Sequence, residues 1–236
     1  MENLNVKIYA DGAVLSDMLS AYESGQIKGF TTNPSLMKKA GIKNYEQFAK
    51  EVLAKITDYS ISFEVFSDDF DIMEKEADRI NSWGDNVYIK IPITNSLGES
   101  SIPLIKKLSK AGMKLNITAI LTLDQVRATV DALAPGTENI VSVFAGRIAD
   151  TGVDPMPVMK ESAKICAEKP GTELLWASSR ELLNIFQAEE CGAHIITCSP
   201  DIINKLGNVG KDLEQFSLDT VKAFNKDIQA LGYSVL

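Results

Sequence analysis

Histidine occurs once in the 236 residues, at His194, and cysteine three times, at Cys166, Cys191 and Cys198, with no CxxC pair. That scarcity argues against a zinc site built from paired thiolates and imidazoles. An odd number of unclustered cysteines fits free thiols in a reducing cytoplasm, not a disulfide framework. Apolar runs of about 18 residues, which a membrane helix requires, are missing. The opening "MENLNVKIYAD" lacks the basic, apolar and small-residue succession of a secretory leader. Positive charge is in deficit, the net charge being −8, which disfavours nucleic acid because neutralising phosphates needs a basic face. No Pro/Gly-rich linker or low-complexity segment divides the chain. Residues 1–236 are therefore expected to form one domain, with 211–236 a C-terminal helical extension.

What is present is alternation. Short β-branched runs recur at 6–11, 27–32, 61–66, 86–91, 113–120, 139–145, 173–178 and 194–199. Between them lie stretches of helical period, among them "SDMLSAYESG", "NYEQFAKEVLAKI", "DDFDIMEKEADRINSWG", "TLDQVRATVDAL" and "SPDIINKLG". Several open on Ser, Thr, Asn or Asp and stop at Gly, as helix capping requires. Eight such units predict a closed (β/α)8 barrel. An open doubly wound sheet would carry a Gly-rich phosphate loop after its first strand, and "ADGAVLS" is not GxGxxG. After the eighth unit, Phe216, Val221, Phe224, Ile228 and Leu231 fall on one helical stripe. Such a helix either covers the barrel or packs on a neighbouring subunit.

Side chains alternate across a strand, so i and i+2 share a face. In "NVYIKIP" this groups Tyr88, Lys90 and Pro92 against Ile89 and Ile91. The apolar pair suits the helix layer, and Lys90 points into the barrel. The same alternation pairs Asp11 with Tyr9, Glu64 with Ser62, Asn116 with Thr118, Ser142 with Phe144, and Ser178 with Trp176; Asn33 follows the second strand. These polar residues gather at the carboxyl ends of strands, where (β/α)8 enzymes carry their chemistry. Burial of Lys90 among Ile, Tyr and Pro is expected to lower its pKa. A neutral amine there is a nucleophile toward a ketone, and a salt bridge to Glu64 is the structural alternative. Imine formation needs an acid/base group, for which Glu64 is suited, with Thr118 to hold a water. Asp11, the other inward carboxylate, is suited to take a hydroxyl proton. Asn33, Asn116 and Ser142 offer hydrogen bonds to a short polyol. Arg147, Ser178 and Arg180 suit a phosphate or another tetrahedral oxyanion.

The segments "GFTTNPSL" (29–36), "IKIP" (89–92), "NITAILT" (116–122), "FAGRIAD" (144–150) and "WASSRE" (176–181), in this order, resemble the transaldolase family over about residues 6–210. The length is similar to that of the short transaldolases and the fructose-6-phosphate aldolases, which assemble into pentamers and decamers through a C-terminal helix. The resemblance implies a (β/α)8 barrel with Schiff-base lysine Lys90 and Asp11 as the acid/base at the C4 hydroxyl. Glu64 and Thr118 would handle the catalytic water. Asn33, Asn116 and Ser142 would hold the dihydroxyacetone unit, with Thr31 and Phe144 also at the substrate, and Arg147, Ser178 and Arg180 the phosphate. It implies no metal or organic cofactor, sugar phosphates as substrates, a place in the pentose phosphate pathway, and a homo-oligomer without membrane or nucleic-acid partners.

Transaldolases carry Glu on the third strand and Phe before the "GR" arginine, whereas the aldolases carry Gln and Tyr. Glu64 and Phe144 thus resemble the transferases, the lyase that releases dihydroxyacetone being the alternative. Ser179 where an aromatic residue is frequent, Trp176 where a smaller one is expected, and Gly12 where Thr or Ser is common depart from the pattern. They bear on the acceptor end, where sulfosugar transaldolases bind a sulfonate in place of phosphate. A non-catalytic sugar-phosphate-binding barrel is the third reading. His194 is read as structural.

Overall fold

A computed structural model describes residues 4–233 and 235. Eight parallel strands close into a barrel in the order β1-β2-β3-β4-β5-β6-β7-β8. They are β1 (Lys7–Asp11), β2 (Gly29–Thr31), β3 (Ser60–Glu64), β4 (Val87–Pro92), β5 (Leu115–Ile120), β6 (Asn139–Val143), β7 (Thr172–Trp176) and β8 (Ile195–Cys198). β1 pairs with both β2 and β8, which completes the ring. Each expected strand is there, shorter by one or more residues at most ends.

The helices are α1 (Leu15–Glu23), α2 (Pro34–Lys39), α3 (Tyr45–Leu53), α4 (Phe70–Asn81), α5 (Ile102–Lys110), α6 (Leu123–Ala132), α7 (Ala145–Ala149), α8 (Met156–Ala167), α9 (Leu183–Glu190), α10 (Pro200–Ile203) and α11 (Leu213–Leu231). Asn44, Asp69 and Thr122 cap α3, α4 and α6 through their side chains, Thr122 in a capping box with Gln125. α1 differs from expectation. It begins at Leu15 after Val14, and no side-chain oxygen caps it.

Alternation along the strands makes two cores. Outward residues such as Phe30, Ile61, Phe63, Ile89, Ile91, Leu115, Ile117 and Ile196 are buried under the helices. Each contributes about 1.5–3 kcal/mol of apolar burial. Inward, Tyr9, Tyr88, Ile140, Leu175, Ala177 and Ile195 fill the barrel, with Phe144 packed on them. Gly29 makes room for this filling, since a Cβ there would lie 2.5 Å from the Tyr9 ring. Ser60 donates to the Tyr9 hydroxyl at 2.6 Å. The lower barrel is thus plugged, which leaves the carboxyl end for polar residues.

The tail corrects one of two expectations. α11 has no buried residue, and Phe216, Val221, Phe224, Ile228 and Leu231 are all exposed. A helix folded over its own barrel would bury that stripe, so α11 does not serve as such a cover. Among the described residues no helix is long and apolar enough to cross a membrane.

Candidate active site

Two sets of register partners line the carboxyl end of the barrel. Asp11 stands level with Thr31, Glu64 with Lys90, and Lys90 with Asn116. Lys90 is only 8% exposed. Its Nζ lies 3.1 Å from Glu64 Oε2 and donates to the Thr32 carbonyl at 3.1 Å. The expectation of an apolar cage around the amine is therefore corrected, and the salt bridge to Glu64, the alternative reading, is present. The stem is packed in the strand, but the nitrogen meets a carboxylate and a carbonyl. Ile89 and Ile91, the apolar neighbours in sequence, face the other way.

Asp11 is half-buried, and its Oδ1 accepts from Thr31 Oγ1 at 2.9 Å. Burial holds its carboxyl above the usual range. The Lys90 charge and the Thr31 hydrogen bond oppose that rise, and the Glu64 charge adds to it. Thr31 Oγ1 also lies 2.5 Å from Thr197 Oγ1.

Asn116 is fully buried in a chain of side chains. Ser142 Oγ donates to Asn116 Oδ1 at 2.6 Å, and Asn116 Nδ2 donates to Ser62 Oγ at 2.9 Å. These bonds fix the amide orientation. Thr118, one layer further out, is buried with no protein partner for its hydroxyl among the described residues. Its strand carries a bulge between Ile117 and Ile120, with Ala119 at φ +62°. The extra residue lets Thr118 face inward while Ile120 returns to the helix layer. Asn33 caps α2, its Oδ1 accepting from Leu36 N at 2.9 Å, which leaves its amide nitrogen as the free end.

The residues expected at an anion come from two turns, after β6 and after β7. Phe144 precedes α7 and packs on the barrel filling, with the exposed Arg147 guanidinium over its ring at 5.6 Å. Arg147 makes no ion pair among the described residues, while Arg180 is paired with Asp150 through both Nε and Nη2. The two arginines are thus unequal: one is free and one is neutralised. Ser178 does not follow the expected alternation with Trp176. Trp176 is turned out into the helix layer, and Leu175 and Ala177 face the interior. Ser178 lies beyond the strand end at φ +63°, so strand parity no longer applies to it. Its carbonyl is pressed onto Gly146, where a Cβ would lie 1.6 Å from the oxygen. The only two non-glycine residues with positive φ among those described, Ala119 and Ser178, flank this site. Backbone strain tends to collect where function needs it.

Thr197 and Ser62 join the constellation although neither was singled out as a site residue. The period-two pattern of "IITC" was the available signal for Thr197, but which face looked inward was not readable without the register.

The fold and this cluster define an enzyme-like (β/α)8 barrel with a lysine and two carboxylates at the carboxyl ends of its strands. The sequence profile described as Transaldolase/Fructose-6-phosphate aldolase matches residues 8–235, and the chain belongs to that family. A protein of Nitrosopumilus maritimus (strain SCM1) named "Probable transaldolase" is 34% identical over 233 residues, covering 95% of this chain and all of that protein. Another of that name from Erythrobacter litoralis (strain HTCC2594) is 33% identical, covering 98% of this chain and all of that protein. Among solved structures, KGPDC from Streptococcus mutans aligns with a TM-score of 0.56 at 12% identity, covering 84% of this chain and 89% of that one. That likeness is one of fold.

Proposed function

We propose that this protein is a transaldolase that moves a dihydroxyacetone unit from a ketose phosphate to an aldose phosphate through an imine on Lys90. The observation that carries the reading is the buried Lys90 nitrogen 3.1 Å from Glu64, with Asp11 also inward and near enough for the Lys90 charge to act on its carboxyl. Glu64 accepts a proton from the Lys90 ammonium, and the freed amine adds to the C2 carbonyl of the donor. Glu64 returns the proton to the departing hydroxyl as water leaves, and the Thr118 hydroxyl is placed to hold that water. The Asp11 carboxylate then takes the C4 hydroxyl proton, the C3–C4 bond breaks, an aldehyde departs, and its electron pair enters the enamine. An incoming aldose reverses these steps. Asn116 and Ser142 are oriented to bind the three-carbon unit, with Asn33, Thr31 and Phe144 around it. Arg147, Ser178 and Arg180 supply the anion end. The site residues need no metal or organic cofactor for this sequence of steps.

Glu64 and Phe144 favour the transferase over the lyase. A tyrosine hydroxyl beside the enamine would help protonate it, whereas the phenyl ring of Phe144 cannot. Borohydride trapping with fructose 6-phosphate should attach a three-carbon or six-carbon adduct to Lys90, and Lys90→Ala should abolish both adduct and turnover. An untrapped enzyme whose Lys90→Ala variant stays active would end the reading. Turnover at full rate without an acceptor aldehyde would assign the lyase, and faster turnover of a 6-sulfonated donor than of its phosphate would assign a sulfosugar substrate.

A further inference from the structure

We propose that Thr197 is a positioning residue for Asp11, acting through a directed chain of hydroxyls from Thr197 to Thr31 to the carboxylate. A threonine hydroxyl has one proton. Thr31 gives its proton to Asp11 Oδ1 at 2.9 Å, so in the 2.5 Å contact between Thr31 and Thr197 the donor is Thr197. The order of strands explains the contact. β1 lies between β8 and β2, and Thr197 stands level with Tyr9, one inward layer below the Asp11–Thr31 pair. Both threonines are buried, so neither hydroxyl is free to solvent. The far end of the chain is anchored as well: Ser179 Oγ donates to the Thr197 carbonyl at 2.8 Å, tying the end of β8 to the turn after β7.

Hydrogen bonds in such a chain polarise one another. Donation from Thr197 makes the Thr31 hydroxyl a stronger donor, which favours the ionised Asp11 that proton abstraction requires. The other groups that act on this carboxylate are Lys90 on β4 and Glu64 on β3. Cys198 on β8 faces outward with its thiol pushed up to about 12, chiefly by burial, and Asp17 on α1 and Asp201 on α10 are exposed.

The inference rests on Asp11 as the proton acceptor, so the test reads the carboxyl directly as well as the reaction. Carboxyl ¹³C resonances of aspartate-labelled protein, with Asp11 assigned by its loss in Asp11→Asn, would be titrated in the parent and in Thr197→Val, Thr197→Ser and Thr31→Val. The Asp11 midpoint should rise in Thr197→Val, rise further in Thr31→Val, and stay near the parent in Thr197→Ser. The acid limb of the kcat profile should move the same way, with kcat in Thr197→Val down about 3- to 10-fold on that limb and KM for the donor little changed. Should the valine variant fail to fold, Thr197→Ala carries the same test. An unchanged Asp11 midpoint in a folded hydroxyl-less variant overturns the proposal, whatever the activity. A shifted midpoint in a protein that never traps a ketose would instead keep the hydroxyl chain and remove the proposed reaction.

Discussion

Glu64 and Lys90 are register partners on neighbouring strands, and their charges meet at 3.1 Å inside the barrel. The pairing follows from two period-two patterns in the sequence once β3 and β4 lie side by side. It makes the acid and the amine a single buried ion pair. Removing one partner of a buried pair leaves a charge without compensation and costs about 3–5 kcal/mol, whereas replacing both by apolar groups is often neutral or stabilising. Lys90→Met should therefore lower the free energy of unfolding by about that amount, and Lys90→Met/Glu64→Leu should recover most of it. Urea melts of the two variants decide the matter. Equal stability of the single and double variants would mean that the pair is not coupled.

Asp11 gives a prediction with a definite pH sign. Its carboxyl is raised from 3.8 in the folded protein, mainly by burial. Below that value both folded and unfolded chains hold the proton, and the group contributes nothing to the pH dependence. As pH rises through it, the unfolded chain ionises first, so ionisation favours unfolding, and the penalty is complete above the folded pKa. Asp11→Asn keeps an oxygen to accept from Thr31 and removes the penalty. It should stabilise the protein at pH 7 by about 0.5–2 kcal/mol while abolishing turnover, and the stabilisation should fade as pH approaches 3.8. Thermal melts across pH check this. A variant less stable than the parent at pH 7 would show that the carboxylate is comfortable where it is.

Gly146 lets the turn after β7 close over α7. A methyl there would lie 1.6 Å from the Ser178 carbonyl oxygen, a backbone atom that moves only with its loop. Gly146→Ala should cost about 1–3 kcal/mol of stability. It should also push Ser178 and Arg180 away from Arg147. Those residues are assigned to the anion, so KM for a phosphorylated donor should rise more than kcat falls. Steady-state kinetics on phosphorylated and unphosphorylated donors separate the two. An equal effect on both would detach this turn from anion binding.

Strand existence was readable because β-branched runs and Gly-terminated helical stretches alternate without interruption. The inward face was readable wherever a polar residue alternated with apolar ones, as at Asp11, Glu64, Lys90, Asn116 and Ser142. Reading failed where the backbone departs from regular geometry. Ser178 lies past the end of β7 at positive φ, so counting by twos placed Trp176 inside when its indole is packed under the helices. α2 and α7 are 6 and 5 residues long, too short to show a period. The Glu64 side of the Lys90 surroundings was among the readings of the two strand patterns, but the Thr32 carbonyl comes from the turn after β2 and meets the nitrogen only through the fold. The same holds for Thr197, whose partner is 166 residues away.

α11 leaves a broad apolar stripe uncovered, with Val221, Phe224, Ile228 and Leu231 at helical spacing and each more than half exposed. Nineteen residues make a rod about 29 Å long. An arm that seats on a different face of a second copy makes a head-to-tail contact, which closes into a ring when the rotation allows. We therefore propose a homo-oligomer in which α11 seats on a second copy. Sedimentation of the parent should show a ring-sized species, a pentamer or decamer, and Val221→Glu/Phe224→Glu/Ile228→Glu should reduce it to the monomer. Because the substituted side chains are exposed and α11 buries nothing in its own barrel, the monomer should stay folded by circular dichroism. A parent that sediments as a monomer would remove the arm from this role. A variant that remains a ring would place the interface on another face of the barrel.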